Sequence, residues 1–307
     1  MVEHIVTNIP GGKMLKSYLV DLYPNLKPSI IEKALKKGDI KVNNTRQRKN
    51  VLLAGGDNIK VYLTDEELGV NPPLEIVYED ENLLIINKIP GISCIDDKLT
   101  GTVNIVSLAE AHMKQKGDYN RDLLNVPFLC HRLDHHTGGL LVIAKHEHAN
   151  EFIMDAFAER RIRKFYQAIV CGKPQPPQSQ LHDFLLKDAA ASKVKIFKNQ
   201  IKNSVPVVTR YATLSSNEEL TRLEIELVTG RTHQIRAHLS FYGHPVLGDD
   251  KYGNRKINKK FNASYQVLWA TRLIFNIGTG HFMEYLNKKV FETDHIEFPT
   301  SVMKLEL

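Results

Sequence analysis

The 307-residue sequence lacks the features that mark membrane, secreted and disulfide-rich proteins. No apolar run reaches the roughly 18 residues that a bilayer-spanning helix needs. The first residues show no basic segment leading into an apolar one, so we expect no secretion signal and a cytoplasmic location. The three cysteines, Cys94, Cys130 and Cys171, are widely spaced and form no CxxC pair. This usage predicts reduced thiols in the core, without a disulfide framework or a zinc site.

Excess charge is also missing from most of the chain. Residues 1–63 contain eleven Lys or Arg and five Asp or Glu, so they carry the whole net charge of +6. A small segment holding all the excess positive charge is typical of nucleic-acid binding, although a merely solvated basic face gives the same count.

The basic N-terminal segment has the pattern of a small folded domain. Leu15, Leu19 and Leu22 predict a first helix. Ser29 and Glu32 predict a capping box for a second helix that ends at Gly38. Two alternating strands follow, the second after a Gly-Gly-Asp turn. With its basic residues, the segment resembles the S4-type RNA-binding domain, and the resemblance implies RNA contacts from Lys33, Lys36, Lys37, Lys41, Arg46 and Arg48.

An acidic stretch predicts the boundary of this domain. Seven acids and no base lie between Thr64 and Asn87, and Pro72-Pro73 stiffens the chain there. We therefore predict an S4-like α/β domain over residues 1–66 and a second domain over 67–307.

The most informative segment of the second domain is HRLDHHTGGLLVIAK, residues 131–145. Leu140 to Ala144 predict a buried strand, and Asp134 lies in the polar stretch before it. A carboxylate beside a buried strand is costly unless it is paired or functional, although a lone Asp in this position is more often a turn residue.

Further strands predict the fold class. RKFYQAIVCG at 163–172 and the alternating residues up to Leu227 predict strands, and the residues around Phe152 and Phe157 predict a helix. Gln175 to Gln180 and Gln200 to Ser204 have loop composition. Many strands with few helical crossovers predict an α+β fold around a largely antiparallel mixed sheet.

The segments at 131–145, 163–172 and 227–253 together resemble three motifs of the RluA/RluD-type pseudouridine synthases, which isomerise uridine in RNA. The third segment, LVTGRTHQIRAHLSFYGHPVLGDDKYG, carries most of the resemblance. The resemblance implies Asp134 as catalytic carboxylate, Arg231 as its ion-pair partner, and Arg132 as the residue that enters the space vacated by the target base. One departure is Gly138, where the family usually has Ser.

The predicted reaction suits these residues. Moving uracil from an N1 to a C5 linkage is redox-neutral, so we expect no cofactor. A carboxylate must act near C1′ or C6, and an arginine pair keeps such a carboxylate ionised. Tyr166 offers a ring face for uracil stacking and a hydroxyl near the reacting atoms, although a lone Tyr is more often a core residue.

Three alternatives remain open at this stage. Five histidines near the motifs raise the possibility of a metal-dependent hydrolase, but they match no ligand pattern, so we predict no metal. An RNA-binding or ribosome-assembly factor would use the basic domain and treat the rest as scaffold. Within the synthase prediction, the appended basic domain favours large-subunit ribosomal RNA over transfer RNA. We expect a monomer.

Overall fold

A computed structural model describes residues 1–7, 9–23, 26–69, 72–95, 103–188, 191–296 and 298. The chain divides into two compact units, Met1–Pro73 with Asp96–Val103 and Leu74–Ile95 with Asn104–Leu307. The first unit thus extends through the proline pair, beyond the boundary predicted at residue 66. In the described ranges, no helix is both long and apolar enough to cross a bilayer.

The first unit combines three helices with a small antiparallel sheet in the order β1-β6-β3-β4, beside a two-stranded ladder of β2 and β5. Its apolar core includes Leu15, Leu19, Ile31 and Ile59. The elements are β1 (Val2–Ile5), β2 (Lys13–Met14), α1 (Leu15–Leu22), α2 (Pro28–Lys37), β3 (Ile40–Val42), β4 (Thr45–Arg46), β5 (Leu52–Leu53), β6 (Asn58–Val61) and α3 (Asp65–Leu68).

The predicted end of α2 is confirmed, but the predicted capping box is wrong. The helix begins at Pro28, after Lys27 in extended conformation, and no side chain caps it. Proline at the first helical position has no N–H to satisfy and a φ angle already suited to the helix, so a Ser cap is not required. Glu32 pairs with Lys16 instead. Gly38 ends α2 with a φ of 77°, the left-handed conformation that glycine adopts without strain.

The second unit is built on a large sheet in the order β13-β12-β14-β15-β11-β16-β10-β8-β7. In addition, β17 pairs with β16 and β9 pairs with β10. Its helices are α4 (Ile105–Lys116), α5 (Glu147–Ala158), α6 (Gln234–Phe241) and α7 (Arg255–Lys260), with a 3₁₀ turn at Glu284–Leu286. Its strands are β7 (Ile76–Glu79), β8 (Leu83–Lys88), β9 (Phe128–Leu129), β10 (Gly138–Ala144), β11 (Ile162–Cys171), β12 (Gln178–Asp188), β13 (Lys193–Phe197), β14 (Val205–Ser216), β15 (Leu220–Leu227), β16 (Leu268–Phe275) and β17 (Val290–Glu292).

The predicted α+β class is confirmed. Among the described strands of the large sheet, β10 and β16 pair in parallel and the other neighbours pair antiparallel. Every residue of β10 is buried, as its apolar run predicts. The loop composition of residues 175–180 is misleading at its end, because β12 begins at Gln178.

Gly138 is explained by the residue beside it. It lies opposite Trp269 in the parallel pairing of β10 and β16, and a Cβ atom at position 138 would lie 2.4 Å from two carbons of the indole ring. Trp269 is itself buried, and its indole N–H donates to Asn87 Oδ1 at 3.0 Å. The departure from the family pattern therefore makes room for a fixed tryptophan.

We expect Gly138→Ser to destabilise the protein by about 1–3 kcal/mol, the usual cost of overpacking a fixed core. The same substitution should cost less in a Trp269→Leu background, because the clashing ring is gone. Urea unfolding measures both effects, with Gly55→Ala as control, since a Cβ atom at Gly55 meets nothing within 4 Å. Equal costs for Gly138→Ser with and without Trp269 would rule out the steric explanation.

Candidate active site

Asp134 lies in the connection between β9 and β10, and the backbone of this connection is fixed from two sides. The Thr137 N–H donates to the Asp134 carbonyl at 3.0 Å, closing a turn around the carboxylate. Gly139 follows with a φ of 108°, and a Cβ atom there would lie 2.1 Å from the Ala270 carbonyl oxygen. Only glycine allows that approach, so the two glycines set where the turn enters β10.

A buried lysine holds the other side of the turn. Lys88, 1% exposed, donates from Nζ to the carbonyls of Ile89, Ile92 and His135 at 2.9–3.0 Å. Burial lowers its pKa to about 8, and the charge of Asp134 opposes that shift. Lys88 therefore links the end of β8 to the turn that carries Asp134, and its ammonium places a positive charge beside that turn.

The ion-pair partner of Asp134 is Arg236, not Arg231 as predicted. Arg236 Nη1 donates to Asp134 Oδ2 at 2.9 Å. The same guanidinium donates from Nε and Nη2 to Asp249 at 2.6 and 2.9 Å, and from Nη2 to Asp250 at 3.1 Å. Arg231 is exposed and, within the described residues, forms no ion pair.

The charges explain why Arg236 is fixed. Asp249 is fully buried, and burial alone would raise its pKa, but its bonds to Arg236 hold that pKa below the ordinary value. Burial would lower the pKa of Arg236, yet the bonds and charges of Asp249 and Asp134 raise it. Asp249 thus locks the guanidinium, and the guanidinium presents one N–H to Asp134.

Tyr166 lies in the middle of β11, next to an irregularity of the sheet. The register between β11 and β16 shifts between Phe165 and Tyr166, so Thr271 is the extra residue opposite them. Such bulges redirect side chains near active sites. Burial, reinforced by the charge of Asp134, raises the pKa of the Tyr166 phenol, so the phenol is protonated at neutral pH.

The structure brings four predicted residues into one cleft. Arg132, Asp134, Tyr166 and Arg231 line a small recess of about 60 Å³ and also the adjoining cleft of about 590 Å³. Asp134 is about one-fifth exposed, and Arg132 and Arg231 are solvent-accessible. A carboxylate, a buried phenol and two exposed cations thus share a space open to a large substrate. Their individual roles stay predictions.

The loop that carries Arg231 is held by a set of buried hydrogen bonds centred on Gln234, a residue that the sequence analysis did not single out. Gln234 Oε1 accepts from the Arg231 backbone N–H at 3.1 Å and from Thr229 Oγ1 at 2.9 Å. Its amide nitrogen donates to Thr209 Oγ1 at 3.0 Å, which in turn is 2.9 Å from His238 Nδ1. These buried hydrogen bonds fix the loop that carries Arg231.

The ion pair between Asp134 and Arg236 was not predicted, because the two residues are distant in sequence. Arg236 lies among apolar residues of α6, and that is itself a signal, since an arginine on a buried helix face requires acids nearby. The adjacent pair Asp249 and Asp250 in the same motif supplied those acids. Within the described ranges, no group of three or more His, Cys, Asp or Glu could hold a metal ion. That the reaction uses no metal stays a prediction.

Comparison with known proteins assigns the family of this fold. The family described as RNA pseudouridylate synthase matches residues 82–241, so the chain belongs to that family. It is an RNA pseudouridine synthase.

Several relatives share most of the chain. It is 34% identical over 273 residues to the "Ribosomal large subunit pseudouridine synthase C" of Rickettsia felis, covering 82% of this chain and 86% of the relative. The protein of that name from Vibrio cholerae is 30% identical, covering 92% and 89%. An "Uncharacterized RNA pseudouridine synthase" of Aquifex aeolicus is 32% identical, covering 78% and 76%.

Solved structures agree on the fold. "Human RNA Pseudouridylate Synthase Domain Containing 4" superposes with a TM-score of 0.54 at 27% identity, over 66% of this chain and 84% of that one. The related human "Domain Containing 1" protein also gives 0.54, at 23% identity, over 75% and 92%.

Proposed function

We propose that the protein converts one or more uridines of large-subunit ribosomal RNA to pseudouridine, with Asp134 as the nucleophile. The observation that carries the mechanism is the Asp134 carboxylate, held by Arg236 at 2.9 Å in a cleft that Tyr166 also lines. The RNA target is supported by the names of the Rickettsia and Vibrio relatives, which cover more than four-fifths of the chain. Transfer RNA is the alternative substrate.

The chemistry needs no external electrons. In the route through C1′, an Asp134 oxygen bonds to C1′ while the N1–C1′ bond breaks and its electron pair stays on uracil N1. The ring then turns, C5 attacks C1′, the carboxylate leaves, and C5 loses its proton while N1 gains one. The route through C6 uses the same carboxylate and the same balance.

The other cleft residues have separate roles in this proposal. Tyr166 stacks on the uracil and, as a neutral phenol, keeps a hydroxyl beside the reacting atoms. Arg132 occupies the space of the extruded base and so offsets part of the few kcal/mol that extrusion costs. Arg231, exposed on its Gln234-held loop, contacts the RNA substrate.

Mapping pseudouridines by carbodiimide-induced stops in total RNA, with and without the gene, tests the target. We expect one or more stops in large-subunit ribosomal RNA to disappear in the deletion strain. They should return on expression of the wild-type protein. Loss of stops in transfer RNA alone would replace the proposed substrate with the alternative one.

We further propose that the first unit is an S4-like RNA-binding module. Six cations lie around the end of α2 and the β3–β4 hairpin. Lys33 and Lys37 share a helix face, and Lys41 lies opposite Arg46 in the strand register of the hairpin. Lys33, Lys36 and Lys37 are exposed, as is Arg46, which lies against Gly38. Arg48 follows β4 and is exposed as well.

We expect the triple variant Lys33→Gln, Lys36→Gln, Lys37→Gln to raise KM for structured RNA and change turnover at saturation little. The log–log salt dependence of binding should flatten by about 0.7–0.9 for each phosphate that the variant no longer neutralises. Steady-state kinetics across a salt series measure both. The control replaces three exposed lysines of the second unit, Lys173, Lys187 and Lys202. Equal effects in the two triple variants would show that overall charge, not this face, attracts RNA.

A further inference from the structure

Lys164, a partly buried cation of the second unit, has no anionic partner among the described residues. Lys164 lies on β11 and is half-buried, and within the described residues it forms neither an ion pair nor a hydrogen bond. Its Nζ lies 4.7 Å from the centroid of the Phe157 ring. The ring face attracts the positive charge but, unlike a carboxylate or carbonyl oxygen, it is no conventional hydrogen-bond acceptor for the ammonium. A partly desolvated ammonium of this kind is costly until an anion meets it.

The walls around Lys164 leave room for such an anion. A Cβ atom at Gly230 would lie 3.3 Å from Lys164 Nζ, so the glycine keeps the space above the ammonium open. His131 contributes a neutral ring. Burial, followed by the charge of Lys164, lowers the pKa of His131 well below its ordinary value. Its Nε2 accepts from the Val142 N–H at 3.1 Å, and the buried Nδ1 has no hydrogen-bond partner in the part of the chain that the structure describes.

The position along the strand relates this space to the reacting base. Lys164 and Tyr166 are two residues apart on β11, so their side chains share a face about 7 Å apart. Both line the large cleft with Asp134. The ammonium is therefore about one nucleotide away from the ring that stacks on the target uracil.

The charges of the cleft fit a phosphate and not a cation. Its basic lining residues besides Lys164 are Arg132, Arg160 and Arg231, and its one acid among the described lining residues, Asp134, is held by Arg236. Lys164 also lines a second cleft of about 260 Å³, where two of the other cations share one carboxylate. Arg163 and Arg210 both pair with Glu226 there, at 2.7 and 3.0 Å. Arg132, Arg160 and Arg231 also form no ion pair among the described residues, but they are exposed, whereas Lys164 is partly buried and therefore gains most from a ligand anion.

We propose that Lys164 binds the RNA backbone phosphate next to the target nucleotide, in a subsite formed by Lys164, Phe157 and Gly230. This inference rests on the proposed function, because it takes the Asp134 cleft as the place where the target uridine binds. Lys164 would hold the strand on which Tyr166 and Asp134 act, and it would take no part in the bond changes.

Binding of a short RNA that contains the mapped target uridine tests the subsite. We expect Lys164→Gln to weaken binding about tenfold and to reduce the salt slope by about one phosphate's share. Lys289→Gln is the matched control, because its ammonium also lies over a ring, 5.3 Å from the centroid of Tyr78, but lines none of the clefts described above. It should bind as wild type. An unchanged affinity and slope for Lys164→Gln would overturn the proposal.

Single methylphosphonate substitutions locate the phosphate, since each removes one phosphate charge. They are scanned over the positions flanking the uridine, in the Asp134→Asn background so that the RNA is not converted. We expect one position to weaken binding to the parent and to have no further effect once Lys164→Gln is added. Additive losses at every position would show that Lys164 touches no phosphate.

Thermal melting separates this role from a structural one. Because Lys164 pairs with no anion among the described residues, Lys164→Gln should melt at the wild-type temperature or above it. A lower melting temperature with unchanged binding would make the residue structural. Failure of the proposed function has a different signature. An active Asp134→Asn variant would refute the cleft as a whole, while an inactive Asp134→Asn combined with unchanged binding by Lys164→Gln would refute the subsite alone.

Discussion

Asp134→Asn is expected to reduce pseudouridine formation to background, at least about 10³-fold, the scale seen when a nucleophile is removed from an enzyme. The change removes the charge that attacks carbon but keeps an oxygen within reach of Arg236 Nη1. Arg236 also keeps its bonds to Asp249 and Asp250, so the stability should change by no more than about 1 kcal/mol. RNA binding should persist.

Asp250→Asn is the matched control for this variant. Asp250 accepts from the same guanidinium at 3.1 Å, but its side chain is 65% exposed and lines neither space around Asp134. It should retain near-wild-type activity. Release of tritium from C5-labelled uridine in the target RNA measures turnover, and melting curves verify the fold. More than a few per cent of wild-type turnover in Asp134→Asn would falsify its assignment as nucleophile.

The sequence predicted the strands whose apolar residues are contiguous or strictly alternating. Leu140 to Ala144 form a buried strand because both faces of β10 are covered. The strands β12, β13 and β14 were harder to predict from the sequence. Strands β12 and β14 place polar residues, Asp183 and Thr209, at buried positions, and the polar start of β12 at Gln178 has loop composition. Sheet pairing overrides local propensity there, as it often does for strands with one solvated face.

The site was predicted as a set of residues but not as a set of contacts. The resemblance of three segments to family motifs was enough to predict that Asp134, Tyr166 and Arg231 lie together, and all three line one cleft. Which arginine meets the carboxylate depends on how α6 is rotated and on where the 249–250 turn packs. No spacing in one sequence specifies that geometry. The clash that reserves Gly138 for Trp269 is invisible for the same reason, since 131 positions separate the two residues in the chain.

Arg236→Met is expected to abolish activity and to destabilise the protein by about 3–5 kcal/mol, the cost of leaving one member of a buried pair without its partner. Asp249 would keep its bonds from the Lys251 and Tyr252 backbone N–H groups, at 2.8 and 2.9 Å, but lose the guanidinium. Arg236→Lys should restore a charge without the planar fork that bonds Asp249 and Asp134 together, so recovery should be partial.

The pH dependence of this variant has a sign that distinguishes lost pairing from general damage. In the wild type, the pKa of Asp249 is lower folded than unfolded, so its contribution to stability is present at neutral pH and is lost as the pH falls through the acidic range. Without Arg236, burial should raise the pKa of Asp249 above its unfolded value. Stability must then fall as the pH rises through that value.

Urea unfolding of Arg236→Met between pH 5 and pH 8 should show higher stability at the lower pH, relative to Arg231→Met. That control removes an exposed arginine with no ion pair among the described residues and should change stability by no more than about 0.5 kcal/mol. The same pH dependence in both variants would mean that Asp249 does not rely on Arg236, and that the ion-pair network around Asp134 is held in some other way.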